Sequence, residues 1–314
     1  MTHAPSNASL APLQALSESI ASTVDHIAKF TVSVRGRGRH ALGSGVVWRS
    51  GLLVTAAHIF GRAPAAASIV TAQRERADIT LVGTDAATDL ALFRLPDNDL
   101  PAADLADAAA VRTGELAVLV GRSQDGELTS SLTMINRASG PWQTWLGGHL
   151  DRLIRLDGGV HDGLSGAPVA NATGAVFGIA TSALSRTYGT VIPESTVSRV
   201  ADELLAKGHV ARAFLGISAQ AVAVAQVPRS ADGAPSSGLL ITSLLPGGPA
   251  AQAGVLVGDI VVDVADRRAA SLPDLRYSLA SHIGKDVRVS LIRGGLPAEV
   301  VLTVGQWPTE ARAC

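Results

Sequence analysis

At 314 residues the chain is long enough for two domains with full cores. Its 26 basic and 27 acidic residues leave neither the basic excess of a nucleic-acid binder nor a charged tail. Hydrophobic residues make up 47% of the chain but aromatics only 4%, so the core must come from Val, Leu, Ile and Ala, and the single cysteine, the last residue Cys314, excludes a fold held by intramolecular disulfides.

Met1–Ala8 lack a basic stretch followed by a continuous apolar run, and nowhere do 18 apolar residues follow one another. The expectation is a cytoplasmic chain without a membrane span; a periplasmic or extracytoplasmic location is the alternative if a leader has been removed. Residues 1–26 read as a flexible start and a short amphipathic helix, with Leu13, Leu16, Ile20 and Ile27 at helical spacing. Short strands are predicted over 28–36, 43–48, 51–56, 67–72, 78–83 and 90–95, the rhythm of an antiparallel barrel. His58 lies just past the second strand of a Gly-bounded hairpin (Gly43–Trp48, Gly51–Ala56), and Asp89 opens the alternating strand Leu90–Leu95. After an Ala-rich loop over 102–111, strands follow near 115–120, 127–135, 152–156, 167–171, 174–181 and 189–192. Trp142 and Trp145 sit in a Gly-rich loop over 138–148, where capping of the barrel core is the expected role.

The run Gly163-Leu164-Ser165-Gly166-Ala167-Pro168 presents a serine between glycines. The absent Cβ at Gly163 lets a substrate carbonyl approach the main chain, and the N–H groups of Gly163 and Ser165 could converge on one point as an oxyanion hole. The chain order His58, Asp89, Ser165 is that of the chymotrypsin-type triad. It is neither the Ser-Asp-His order of α/β-hydrolases nor the Asp-His-Ser order of subtilisins. Residues 168–179 read as strand, turn, strand rather than the helix that follows a nucleophile elbow, which disfavours an esterase of that type. Ser195–Lys207 reads as a helix capped by Ser195 and ended by Gly208. Beyond it, Gly238–Leu245, Pro246–Val255, Val257–Val264, Pro273–Ser281, Val287–Ile292 and Val300–Val304 read as strand, turn with short helix, strand, helix and two closing strands.

On these blocks the chain resembles the HtrA/Deg family of trypsin-like serine proteases carrying a PDZ domain. Gly43–His58, Thr88–Leu95 and Ile154–Ile179 look like its histidine, aspartate and serine blocks, and Phe214-Leu215-Gly216-Ile217 like the carboxylate-binding loop of its PDZ domain. The resemblance implies a mainly β fold, a chymotrypsin-like double six-stranded antiparallel β-barrel over 27–208 and a PDZ domain over 209–306, followed by a tail over 307–314. It implies Ser165 as nucleophile, His58 as general base and Asp89 as its orienting acid. Gly159 would lie at the base of the S1 pocket with Ile179, Ala180 and Thr181 on its walls. Without a counter-charge such a pocket selects small or medium aliphatic residues. Leu215, Gly216 and Ile217 would hold a C-terminal carboxylate while the peptide adds as a strand.

The implied activity is endopeptidase cleavage of unfolded or misfolded proteins, tuned by C-terminal peptides, in a homotrimer or higher homo-oligomer. No P-loop pattern suggests nucleotide drive, and no metal, cofactor or nucleic-acid partner is expected. Leu164 stands where the family usually has Asn, and Ala167 where it has Gly. These departures motivate the alternative of a peptide-binding or chaperone-like module with a weak or silent protease.

Overall fold

In the computed structural model, residues 7–36, 42–61, 67–96, 100–224 and 237–306 are described; Cys314 and the tail over 307–314 lie outside the described residues. The chain divides into two compact units, Met1–Val210 and Ala211–Cys314.

The first unit opens with a single helix, α1 (Asn7–Ala28), longer than the short helix expected. Alanines at positions 8, 11, 15 and 21 carry good helix propensity through the stretch read as flexible. Only its last turns are buried: Ile27 and Ala28 join the first barrel's core, with Val24 packed against it. Leu13 and Leu16 are exposed.

Six strands, β1 (Thr31–Arg35), β2 (Leu42–Arg49), β3 (Leu52–Ala56), β4 (Ala67–Val70), β5 (Arg76–Asp85) and β6 (Leu90–Arg94), close into an antiparallel barrel in the order β1-β2-β3-β6-β5-β4. Trp48, Leu53, Ile69, Leu92 and Phe93 are buried in and around it. β7 (Leu116–Arg122) and β8 (Leu128–Ser139) begin a second barrel, a small hairpin of β9 (Trp142–Gln143) and β10 (His149–Leu150) intervenes, and β11 (Leu153–Leu156), β12 (Pro168–Ala170), β13 (Val176–Thr181) and β14 (Thr190–Pro193) close it in the order β11-β14-β13-β12-β7-β8. Leu119, Ile135, Ile154, Phe177 and Val191 form its core.

The tryptophan loop behaves differently from expectation. Trp142 is half-buried against the core, whereas Trp145 is 76% exposed. The helix α2 (Glu194–Lys207) starts one residue early: Pro193 is its N-cap and Ser195 does not cap it. Its end is as read, with Gly208 left-handed at φ 73° and its N–H donating to the Leu204 carbonyl.

A buried cation ties the elements of this unit together. Arg122, at the end of β7, donates from Nε to the Thr31 carbonyl (2.7 Å), from Nη1 to that of Gly126 (2.8 Å) and from Nη2 to that of Ala28 (2.8 Å). Ala28 ends α1, so the guanidinium also meets the negative end of a helix dipole. Burial lowers the Arg122 pKa from its ordinary value, yet an arginine starts so high that it stays charged.

The second unit contains β15 (Ala213–Phe214), β16 (Ile217–Ala223), β17 (Ser237–Leu244), α3 (Pro249–Gln252), β18 (Ile260–Val264), β19 (Arg267–Arg268), α4 (Leu272–Ser278), β20 (Asp286–Arg293), β21 (Leu296–Thr303) and β22 (Gly305–Gln306). Its main sheet runs β16-β17-β18-β20-β21, so β16 is an edge strand; β19 pairs with β18, and β15 pairs separately with β22.

Asp259 in the turn before β18 is buried and accepts from Arg293 Nε (2.9 Å) and Nη2 (2.7 Å) and from the Leu256 N–H (2.8 Å). The Arg293 hydrogen bonds, helped by the Leu256 N–H, hold its carboxyl below the usual carboxylate range against the opposing effect of burial. A depressed native pKa means the unfolded chain binds the proton more readily. This contribution is therefore present above the ordinary aspartate pKa of about 3.9 and lost as pH falls through the native value. Melting of residues 211–306 should lose stability over that acidic window, and Arg293→Met should flatten the dependence there. An unchanged acid profile in the variant would count against the pairing.

Candidate active site

The candidate residues come from loops at the ends of strands from both barrels. β3 leads into a single 3-10 turn, Ala57–Phe60, which carries His58 and ends at left-handed Gly61. Asp89 precedes β6 in a left-handed conformation, φ 60°, which Asp tolerates better than most residues. That turn is fixed from several sides. The Ala57 N–H donates to the Asp89 carbonyl (3.0 Å), and Asp85 accepts from Thr88 Oγ1 (2.7 Å). Thr144 Oγ1, between β9 and β10, donates to the Ala87 carbonyl (2.7 Å). The hairpin loop therefore braces the aspartate turn.

Asp89 is 5% exposed at its side chain and accepts three hydrogen bonds. The His58 N–H donates to Oδ1 (2.8 Å), while His58 Nδ1 (2.8 Å) and Thr181 Oγ1 (2.5 Å) both meet Oδ2. An ionised carboxylate only accepts, so the proton of the imidazole belongs on Nδ1 and Nε2 is left as a bare acceptor.

Ser165 is 8% exposed and flanked by Gly163 (φ 82°) and Gly166 (φ 83°). Gly166 admits no side chain: a Cβ there would lie 2.2 Å from the Ser44 carbonyl oxygen and 2.4 Å from Thr55 Oγ1. Among the described residues, the N–H groups of Gly163 and Ser165 donate to no protein acceptor, which leaves both available to a ligand.

The loop lacks the family's usual Asn but has other anchors. Leu164 is buried in the second barrel's core. Fully buried Ser44 donates from Oγ to the Gly163 carbonyl (2.7 Å) and accepts from the Arg122 N–H (3.0 Å), and its own N–H donates to the Ser165 carbonyl (2.9 Å). The bracketing Gly43-Ser44-Gly45 was the available sequence signal for Ser44, a polar side chain in a buried strand.

Ser165 Oγ meets Ser182 Oγ at 3.1 Å, and Ser182 Oγ lies 3.5 Å from His58 Nε2. Among the described residues, Ser182 rather than His58 is the partner of the Ser165 hydroxyl. Ser182 carried no sequence signal beyond ending an apolar strand.

Of the S1 residues, Gly159 is exposed beyond the end of β11. Ile179, Ala180 and Thr181 have no accessible surface. Ile179 and Ala180 belong to core clusters, and the Thr181 hydroxyl serves Asp89. The four do not form an open pocket in this structure. Among the described residues no group of three or more His, Cys, Asp or Glu is arranged to hold a metal ion. No helix among them is long and apolar enough to cross a membrane.

In the second unit Gly216 is left-handed at φ 70°. The Leu215 and Gly216 carbonyls accept from the N–H groups of Ala250 and Leu245 (2.9 and 2.8 Å). Among the described residues, the N–H groups of Leu215 and Gly216 have no protein acceptor. Ile217 starts the edge strand β16, paired on one side with β17. The Leu215 side chain is buried in the domain core.

A family model for the trypsin-like peptidase domain matches residues 43–179, and one for the PDZ domain matches 240–293. A periplasmic serine endoprotease of Halomonas elongata described as DegP-like is 31% identical over 283 residues, covering 86% of this chain and 57% of its own length. One of Pseudomonas savastanoi pv. phaseolicola is 29% identical, covering 88% and 58%. The chain thus spans somewhat over half the length of these relatives. Among solved structures, the HtrA-type protease AlgW with a decapeptide superposes at TM-score 0.76 with 22% identity, covering 92% of this chain and 99% of its own. A serine endoprotease from Yersinia pestis superposes at 0.75 with 24% identity, covering 92% and 98%. Both show the fold. The relatives' naming as periplasmic enzymes overturns the expectation of a cytoplasmic location and points to the periplasm instead.

Proposed function

We propose that this chain, a member of the HtrA/Deg family with a trypsin-like peptidase domain and a PDZ domain, is an active serine endopeptidase. The observation that carries the reading is the Asp89–His58 pair at 2.8 Å facing a glycine-flanked serine whose neighbouring N–H groups are unused. His58 acts as general base as Ser165 Oγ attacks the scissile carbonyl. Asp89 holds the tautomer and stabilises the imidazolium, the N–H groups of Gly163 and Ser165 receive the oxyanion, and His58 returns the proton to the leaving amine.

The functional domains on this reading are residues 27–208 and 209–306. The substrates are unfolded or misfolded proteins cut after small or medium aliphatic residues, a role in protein quality control that needs no nucleotide. An S1 pocket at Gly159 and Ile179–Thr181 would have to open on binding. A C-terminal peptide would add to the free edge of β16, its carboxylate held by the loop Leu215–Ile217, and so regulate the protease. The exposed Leu13 and Leu16 of α1 supply an apolar contact for a homo-oligomer.

The second reading, a peptide-binding module with a silent protease, draws on the Ser165–Ser182 hydrogen bond and the closed pocket. Cleavage of an unfolded casein-type substrate, without nucleotide and with or without a hydrophobic C-terminal peptide, separates the two. Wild type should cleave, Ser165→Ala should not, and the peptide should stimulate. No cleavage by a folded wild type under any condition would leave the binding module.

A further inference from the structure

We propose that Ser182 is a further catalytic residue, whose hydroxyl bridges Ser165 and His58 and carries the proton from one to the other. The inference rests on reading His58, Asp89 and Ser165 as a triad.

Ser182 Oγ lies 3.1 Å from Ser165 Oγ and 3.5 Å from His58 Nε2, and among the described residues it is the side chain that reaches both. The direction of the chain follows from its far end. The Asp89 carboxylate fixes the proton on Nδ1, so Nε2 can only accept, and the one hydrogen atom Ser182 can offer points there. Ser182 Oγ must then accept from Ser165. The hydrogen bonds run Ser165 to Ser182 to His58 to Asp89, the polarity a base-catalysed attack requires.

As Ser165 Oγ bonds to the carbonyl carbon, its O–H breaks and that proton passes to Ser182 Oγ. The proton of Ser182 passes to Nε2, and the carbonyl electron pair moves to the oxyanion. Ser182 ends the step as a neutral hydroxyl and His58 as the imidazolium. Two protons therefore move in one step. Thr181, the preceding residue, is locked to Asp89, and its Oγ1 also accepts from the Ala183 N–H (3.0 Å), so the backbone on both sides of Ser182 is pinned to the site.

A fluorophosphonate probe isolates this step, because fluoride leaves without a proton. Ser182→Ala should react about tenfold more slowly than wild type, with His58 Nε2 left to accept directly from Ser165. Ser182→Thr, which keeps the hydroxyl, should retain most of the rate. In mixtures of H2O and D2O the wild-type rate should fall along a curve, as two moving protons require, and that of Ser182→Ala along a straight line.

A Ser182→Ala rate equal to or above wild type, with a straight line in both, would overturn the bridge while leaving the triad intact, provided Ser165→Ala abolishes labelling. If wild type itself is not labelled, both readings fall. Ser182 is exposed, so its replacement should leave the melting temperature unchanged.

Discussion

Asp89→Asn should lower turnover by about 10⁴-fold, the size of loss found when the acid of a serine triad becomes its amide. Three donors converge on the two carboxylate oxygens: the His58 N–H, His58 Nδ1 and the Thr181 hydroxyl. Asparagine offers one acceptor oxygen and an NH2 group that must face one of those donors. If the amide donates to Nδ1, the imidazole carries its proton on Nε2 and cannot accept from the nucleophile side. The loss should appear in kcat rather than KM, since Asp89 is buried away from substrate. Steady-state kinetics on an unfolded substrate check it, and a loss of less than tenfold would remove Asp89 from the proposed machinery.

Arg122→Met should destabilise the first unit by about 3–5 kcal/mol. The buried guanidinium satisfies the carbonyls of Ala28, Thr31 and Gly126, and each loses a charge-assisted bond when it is removed. The same strand end holds Ser44 through the Arg122 N–H, and Ser44 in turn holds the Gly163 carbonyl. That backbone link survives the substitution, so the protein that remains folded should keep its reactivity toward a serine probe. Denaturant unfolding measures the first effect. A midpoint unchanged from wild type would mean that water replaces the side chain.

The barrels were legible because their cause is local. Apolar runs bounded by glycines recur along residues 28–193, and most of these strands are buried on both faces. β5 and β8 run past expectation partly through exposed residues with no apolar signal, such as Arg76, Thr84, Asn136 and Arg137. The extra length of α1 came from alanines, which pattern analysis weighs lightly against Pro12 and a polar start. The positions of His58, Asp89 and Ser165 were readable from their order and the elements around them.

Their support was not readable. Thr181 looks like a pocket wall in the sequence, and only the fold turns its hydroxyl toward Asp89. Ser44, Thr144 and Ser182 are ordinary polar residues until long-range pairing sets them beside Gly163, Ala87 and Ser165. The small, fully buried Ile179 and Ala180 likewise show that residues adjacent to a site in sequence can belong wholly to its foundation.

The most direct measurement is intact and peptide mass spectrometry of the wild-type chain after treatment with a fluorophosphonate. One adduct is expected, on the peptide carrying Ser165, lost in Ser165→Ala and much slowed in Asp89→Asn. No adduct on a folded wild-type protein, or an adduct on a serine other than Ser165, would contradict the triad.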